Sequence, residues 1–244
     1  MKKALILGAS SGIGRALTEE LAKDGWELIL CSRNTREMEA IAAHVFIRYR
    51  TIAQVIEIDV IANTERKKLI EHIVKENGIT DFFITIGEIM SEDNGLQDDD
   101  DINRLIQTNF NSIILFVSGL LRVINLKDSK NIVFLSSIAS TRPRKNNLIY
   151  ATSKSAVDFY LRGMQHLLAD TNINIQIIRL GYIDTSMSFG KKLLFPAISP
   201  QNTAGLILKN IKSKKRIHYI PGYWKYISIM VRLIPWVIYK KISF

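Results

Sequence analysis

Short apolar runs alternate along the chain with stretches in which apolar residues recur every three or four positions. The short runs are typical of strands buried on both faces of a sheet, and the second pattern is typical of helices. The predicted strands cover residues 4–7, 26–31, 54–58, 81–86, 131–135, 174–180 and 216–220. The predicted helices lie around residues 13–21, 38–45, 65–76, 98–125, 150–169 and 203–211. This alternation predicts an α/β domain built on a doubly wound parallel sheet with helices on both faces.

Small and polar residues stand at the carboxyl ends of the predicted strands. They are Gly8 to Gly14, Ser32-Arg33, Asp59, Gly87, Ser136-Ser137 and Gly181. The carboxyl ends of parallel strands meet at one edge of a sheet, where ligands bind in doubly wound folds. We therefore expect these residues to form one site.

The first strand is followed by a glycine turn with the pattern G-x-x-x-G-x-G at Gly8, Gly12 and Gly14. Glycine allows a sharp strand-to-helix turn and leaves room for a phosphate against free N–H groups at the helix start. The spacing differs from the G-x-G-x-x-G dinucleotide fingerprint. The context favours nucleotide binding, and an ordinary tight turn is the alternative.

Composition indicates one domain in a reducing compartment. The 244 residues contain no Pro/Gly/Ser-rich linker and one cysteine, Cys31, expected to be a buried hydrophobe. The four histidines lack metal-ligand spacing, so no metal is expected. The basic and apolar start resembles a signal peptide, but its apolar run is too short, and it is interpreted as the first strand. The acidic run 98–101 is expected to cap a helix. A cytoplasmic location is expected.

The net charge of +10 belongs to the last quarter of the chain. Residues 185–244 contain eleven Lys and Arg and no Asp or Glu, which leaves 22 basic and 23 acidic residues before them. Such asymmetry indicates an anionic partner. No nucleic-acid-binding motif accompanies it, so nucleic acid is not expected as that partner.

The sequence predicts two parts that meet at residue 221: a catalytic domain, 1–221, and an amphipathic extension, 222–244. Lys225, Ser228 and Arg232 form a narrow polar stripe on an otherwise apolar helix, and Pro235 should break that helix. Trp, Tyr and Ile interleaved with Lys and Arg suit a segment in the interface of an anionic membrane, here the inner face of the plasma membrane. Packing on the core or at a subunit interface is the alternative.

Two groups of residues indicate a redox reaction on a carbonyl. Ser32 and Arg33 stand where a carboxylate would bind a ribose 2′-hydroxyl, and a guanidinium there favours a 2′-phosphate, hence NADPH over NADH. Asp59 is a candidate acceptor for the adenine amino group, or a helix cap. Tyr150 and Lys154 lie one helical turn apart, so that the cation can lower the pKa of the phenol.

With Ser137 thirteen residues before Tyr150, these motifs in this order resemble the short-chain dehydrogenase/reductases over residues 2 to about 220. The resemblance implies a Rossmann-type fold, with Tyr150 as general acid and base, Lys154 lowering its pKa, Ser137 orienting the carbonyl and Asn109 holding a relay water. It implies cofactor contacts from Gly8, Ser10, Ser11, Gly12, Ile13, Gly14, Ser32, Arg33, Asp59, Val60, Gly87, Tyr150, Lys154, Gly181, Ile183 and Thr185. It also implies a homodimer or homotetramer.

The chain departs from that family pattern at two strand ends. Ile84-Thr85-Ile86-Gly87 replaces the usual Asn-Asn-Ala-Gly, and Leu180-Gly181 replaces Pro-Gly. These changes leave the proton-transfer residues in place and put the cofactor contacts at those two ends in doubt.

The ending resembles a subgroup, the decaprenylphosphoryl-2-keto-ribose reductases, in its W-K-Y-I, R-L-I-P and Y-K-K segments. This resemblance implies reduction of a 2-keto sugar on a polyprenyl phosphate, paired with a flavin oxidase in a 2-epimerase of cell-envelope synthesis. A 3-oxoacyl, sphingoid-type or soluble keto-sugar substrate is the alternative. From another class, a non-catalytic nucleotide-binding membrane scaffold is the rival, and the full Ser137, Tyr150 and Lys154 set argues against it.

Overall fold

The computed structural model describes residues 2–76, 78–190, 193–213 and 215–242. Seven parallel strands form one sheet in the order β3-β2-β1-β4-β5-β6-β7. The strands are β1 Lys3–Leu7, β2 Glu27–Ser32, β3 Ala53–Glu57, β4 Ile79–Ile84, β5 Lys130–Ser137, β6 Ile173–Leu180 and β7 Ile217–Ile220. The helices are α1 Gly12–Lys23, α2 Thr35–Tyr49, α3 Asn63–Lys75, α4 Asp99–Ile106, α5 Ser112–Val123, α6 Leu148–Leu167, α7 Pro200–Ile211, α8 Trp224–Leu233 and α9 Trp236–Tyr239. The predicted doubly wound sheet is confirmed.

The two faces of the sheet carry separate hydrophobic cores. Along β1, Ala4 and Ile6 point into the core formed with α1, α2 and α7, whereas Leu5 and Leu7 point into the core formed with α3, α5 and α6. Successive side chains of a strand alternate between faces, so a strand covered on both sides must be apolar throughout. This explains the continuous apolar runs in the sequence.

The acidic run is a helix start, as predicted. Asp98 is the N-cap of α4, and its carboxylate accepts the backbone N–H of Asp101 at 2.9 Å. The chain passes from α4 through a π-helical turn, Gln107–Asn111, directly into α5. Cys31 is fully buried, as expected, and burial raises the pKa of its thiol.

The C-terminal extension is bound to the sheet domain through α8. Trp224 is only 4 % exposed and packs edge-on against the ring of Tyr182, with its indole over Gly181. Ser228, four residues later on the same helical face, is buried with it. The predicted polar stripe of Lys225, Ser228 and Arg232 is therefore wrong at Ser228, because that position lies on the inward face with Trp224, whereas Lys225 and Arg232 are exposed.

A second contact holds the end of the extension. The guanidinium of Arg142 lies 3.7 Å from the ring centroid of Tyr239 and donates to the carbonyls of Val231 and Arg232 at the end of α8. The hydroxyl of Tyr239 donates to the Pro143 carbonyl at 2.6 Å. Helix α8 ends at Leu233, so the predicted break at Pro235 is confirmed, and α9 begins at Trp236. Among the described residues no helix has the length and apolar character to cross a bilayer.

Substitution of Gly181 by alanine should loosen α8. A Cβ at Gly181 would overlap the Trp224 indole, whereas a Cβ at Gly205 in α7 would meet nothing within 4 Å. We expect Gly181→Ala to lose about 1–3 kcal/mol of unfolding free energy through overpacking. Gly205→Ala should gain up to about 1 kcal/mol from helix propensity. Urea unfolding measures both, and equal midpoints for the two variants would contradict the packing of Trp224 on Gly181.

Candidate active site

A cleft runs along the carboxyl edge of the sheet as two adjoining cavities of about 280 Å³ each. Both are lined by Ser11 and Gly87. One contains the predicted site residues Gly8, Ser10, Ser11, Ser32, Arg33, Asp59, Val60 and Gly87. The other contains Ser11, Gly12, Ile13, Gly87, Ser137, Tyr150, Lys154, Gly181, Ile183 and Thr185. Gly14 and Asn109 are the predicted residues that line neither cavity.

The glycine turn depends on close backbone approach. Gly8 has a φ of +97°, and a Cβ there would lie 2.6 Å from the Thr85 hydroxyl oxygen. Ser11 caps α1 by accepting the backbone N–H of Gly14 at 3.0 Å. A Cβ at Gly14 would overlap the carbonyl oxygen of Gly8. Gly14 therefore serves the packing of helix on turn, and the free space of the cleft lies against Gly8 and Gly12.

Two cavity residues bear on nucleotide recognition. Arg33 is exposed and makes no ion pair or hydrogen bond with any residue that the structure describes. Its guanidinium is available to a ligand in the cavity that it lines. The Asp59 carboxylate accepts the N–H of Ile61 at 3.0 Å, while Ala62 is the N-cap of α3. The alternative of Asp59 as a helix cap is therefore wrong.

Ser137, Tyr150 and Lys154 converge on the second cavity. Ser137 ends β5, and the two others lie on successive turns of α6. Burial raises the pKa of Tyr150, while a hydrogen bond from Ser137 and the charge of Arg144 act to lower it. The protonated phenol is thus the resting form at neutral pH, with an adjacent hydroxyl as its partner.

Lys154 is a buried cation held by main-chain carbonyls. Its Nζ donates to the oxygens of Ile86 at 2.9 Å and Leu135 at 3.2 Å. Burial lowers the pKa of Lys154 to about 8, and the negative charge of Asp158 partly offsets this. The sequence expectation gave Lys154 the task of lowering the pKa of Tyr150. Its ammonium donates to the two carbonyls and lies 5.9 Å from the centroid of the Tyr150 ring, and its effect on the pKa of Tyr150 stays a prediction.

Asn109 lies behind the cleft, fully buried in the π-helical turn. Its side-chain amide exchanges two hydrogen bonds with the main chain of Glu88, at 2.8 and 2.7 Å. The side chain thereby fixes the loop that leaves β4. Its role in holding a relay water stays a prediction.

Asp93 was not found from the sequence. Its carbonyl accepts the N–H of Leu148 at 3.1 Å, and its two carboxylate oxygens accept the N–H groups of Ile149 and Tyr150, each at 2.8 Å. These are the first free donors of α6, because Asn147 is left-handed and gives no side-chain cap. The signal available in the sequence, an asparagine before a helix, points to Asn147 instead.

A buried ion pair lies beneath the same helix. Asp158, one turn beyond Lys154, accepts Arg179 Nε at 2.8 Å and the hydroxyls of Ser136 at 2.5 Å and Ser140 at 2.9 Å. It thereby ties α6 to β6 and to the end of β5 next to Ser137. The spacing of apolar residues along α6 does not predict that the charged side chain of Asp158 is buried.

Arg144 is a further residue that sequence reasoning missed. It lines the cavity of Tyr150 and also a smaller cavity of about 60 Å³ against α8, together with Ile138 and Tyr182. It makes no ion pair or hydrogen bond with the described residues. The basic run 142–145 between Ser137 and Tyr150 was the signal available.

Replacement of Lys154 by methionine should remove a pH dependence of folding. The folded state lowers the pKa of Lys154 to about 8, and an unfolded lysine titrates near about 10.4. Between these values the unfolded chain binds more protons, so raising the pH stabilises the folded state. We expect the unfolding free energy of the wild type to rise relative to Lys154→Met, by up to about 1.4 kcal/mol per pH unit. Below that window the difference should be constant.

Urea unfolding at several pH values measures this slope. Lys68→Met, which removes an exposed lysine of α3, should keep the wild-type slope. Parallel curves for the wild type and Lys154→Met would show that the ammonium is not desolvated as described.

Solved structures share the fold of this chain. An alcohol dehydrogenase specific for bulky-bulky ketones from Comamonas testosteroni matches with a TM-score of 0.81 at 20 % identity, covering 100 % of this chain and 95 % of that one. A short-chain dehydrogenase from Sphingobium yanoikuyae in complex with NADPH matches with a TM-score of 0.79 at 18 % identity, covering 100 % and 97 %.

Sequence relatives cover most of the chain. An uncharacterized oxidoreductase of Staphylococcus epidermidis is 25 % identical over 190 residues, 78 % of this chain and 81 % of the relative. One from Staphylococcus haemolyticus is 26 % identical over 210 residues, 84 % and 88 %. The short chain dehydrogenase family model matches residues 2–192. The matched residues include Ser137, Tyr150 and Lys154 of the site. The chain therefore belongs to the short-chain dehydrogenase family and is an oxidoreductase that acts on alcohol and ketone groups.

Proposed function

We propose that the protein is an NADPH-dependent reductase that converts a ketone into an alcohol. The observation that carries this is the meeting of Ser137, Tyr150 and Lys154 in a cavity continuous with the cleft of the glycine turn. The cleft suits a nucleotide, because Gly8 and Gly12 line it without side chains at the turn where α1 begins. Bound NADPH supplies the hydride for the carbonyl carbon.

The chain's own residues supply the proton and the orientation. Tyr150 holds its proton at neutral pH, because burial raises the pKa, and so can donate it to the carbonyl oxygen. Ser137, whose hydroxyl lines the same cavity and acts to lower the pKa of the phenol, can donate to the same oxygen. Lys154 places a cation one turn away, where it favours the phenolate left after proton transfer.

NADPH is preferred to NADH on the basis of Arg33. A guanidinium free of partners among the described residues suits a 2′-phosphate, which it can bind through two charge-assisted hydrogen bonds. The Sphingobium yanoikuyae enzyme and an actinorhodin polyketide ketoreductase of the same fold are complexes with NADPH. Both support the choice.

For the substrate we propose a 2-keto sugar carried on a polyprenyl phosphate, reduced as the second half of a 2-epimerase whose first half is a flavin oxidase. Arg144 offers a cation beside Tyr150 for a phosphate, and the small cavity against α8 offers Phe195 and Ile227 as apolar walls. The alternative substrates are a 3-oxoacyl thioester, a sphingoid ketone and a soluble keto sugar. NADPH oxidation with each of the four separates them.

A homodimer or homotetramer is proposed from exposed apolar residues on α5 and α6. Leu115, Phe159 and Leu167 are exposed on these adjacent helices. Burying them between copies would remove apolar surface from water.

Tyr150→Phe tests the proposed chemistry. Loss of the general acid should lower turnover about 10²–10⁴-fold while NADPH binding stays near the wild-type value. NADPH oxidation with the substrate panel measures turnover, and NADPH fluorescence measures binding. Tyr160→Phe, on the same helix but away from the cavity, should keep full turnover. Full activity of Tyr150→Phe would refute the proposal.

Arg33→Ala tests the cofactor choice. Loss of a bidentate contact to the 2′-phosphate should weaken NADPH binding about 10–100-fold and leave NADH binding unchanged. Arg48→Ala, at the other end of α2 in an ion pair with Glu19, is the control for lost charge. If Arg33→Ala weakens both cofactors equally, or the wild type prefers NADH, the assignment of NADPH is wrong.

A further inference from the structure

Helix α8 is apolar on opposite faces. Trp224 and Ser228 are buried on the inward face. Tyr226, Met230 and Leu233 follow one another at helical spacing on the outward face, and Leu233 is 76 % exposed. Apolar residues on a helix face are normally covered by another part of the protein or by a partner. Within the part of the chain that the structure describes, nothing covers the outward face of α8.

Helix α9, which follows α8 after Ile234 and Pro235, also exposes apolar side chains. Trp236 is 69 % exposed and Val237 beside it is exposed as well. We call Tyr226, Met230, Leu233, Trp236 and Val237 together the C-terminal apolar surface. Single exposed apolar residues need no explanation, but a contiguous group marks an interaction site.

The C-terminal apolar surface is held in place from behind. Trp224 is buried over Gly181, and Arg142 binds the carbonyls at the end of α8 while stacking on Tyr239. These contacts turn the same side chains outward whether or not anything covers them. The exposed face is thus a property of the folded chain.

Charge decides between the candidate occupants. Lys225, Arg232, Lys240 and Lys241 are exposed around the C-terminal apolar surface, and residues 185–244 contain no acidic residue. Two copies facing each other here would set cations against cations. An anionic bilayer instead attracts the lysines and arginines, while Trp and Tyr side chains favour the boundary of headgroups and acyl chains.

We propose that the C-terminal apolar surface docks on an anionic lipid bilayer, with α8 and α9 lying in the plane of the interface. Helices in this position bury their apolar side chains by about 5–10 Å without crossing the bilayer. The docked face of α8 is opposite the face that carries the buried residues Trp224 and Ser228. Binding therefore needs no unfolding of α8. This inference goes beyond the reductase chemistry and stands without it.

Co-sedimentation of the full chain with vesicles tests the proposal. We expect binding to phosphatidylcholine vesicles that contain phosphatidylglycerol at low salt, and weaker binding to pure phosphatidylcholine or at high salt. The double variant Leu233→Ser and Trp236→Ser should bind at least about tenfold more weakly, because both side chains enter the bilayer in the proposed pose. Thermal unfolding checks that the variant is folded.

The matched control is the double variant Ile47→Ser and Ile52→Ser. These residues are 73 % and 72 % exposed, close to Leu233 and Trp236, but lie at and beyond the end of α2. The control should bind vesicles like the wild type. Equal loss in both double variants would mean nonspecific adsorption and would overturn the proposal.

Two other results would also overturn it. One is failure of the wild type to sediment with anionic vesicles at low salt. The other is light scattering that shows an oligomer which the Leu233 and Trp236 substitutions dissociate, since the surface would then join copies of the chain. Vesicle binding needs no substrate and no NADPH, so its outcome is separate from that of the Tyr150→Phe assay.

Discussion

The site depends on how the first turn of α6 is held. This helix carries Tyr150 and Lys154, yet it begins without a cap of its own. Asp93, from the segment between β4 and α4, accepts its first three N–H groups, including that of Tyr150. The same segment is held at its other end by Asn109 on Glu88 and by Lys154 on the Ile86 carbonyl. The loop and the helix therefore fix each other, and the phenol is positioned by main-chain contacts at both ends of one segment.

This arrangement buries the ammonium group of Lys154, which costs desolvation free energy. Desolvation lowers the pKa of Lys154, and the residue that offsets it, Asp158, is itself neutralised by Arg179. A buried charge is tolerated only when it is paired and hydrogen-bonded. Asp158 also binds Ser136 and Ser140, on either side of Ser137. The ion pair thus connects the strand end that carries the serine to the helix that carries the tyrosine and lysine.

Periodicity and strand-end residues were enough to predict the sheet and most of the cleft. Apolar runs report burial on both faces, and a parallel sheet brings its carboxyl ends together, so Gly8, Arg33 and Ser137 could be placed near one another. Asp93 could not, because it acts through a contact with a helix distant in sequence. Arg144 could not, because its place in the loop before α6 does not indicate which cavity its side chain lines. At Asn147 the residue type predicts a helix cap, but the backbone is left-handed and the side chain does not cap α6. Asp93 accepts the first N–H groups of the helix instead. At Ser228 the polar side chain predicts exposure, but the residue is buried because it lies on the same face of α8 as Trp224.

The C-terminal helices and the active site share one short segment of chain. Tyr239 binds the Pro143 carbonyl and stacks on Arg142, and the next residue, Arg144, lines both the Tyr150 cavity and the cavity against α8. From there the chain runs into Asn147 and α6. The extension therefore forms part of the wall of the site, because one short run of chain contacts Tyr239 and lines the cavity of Tyr150.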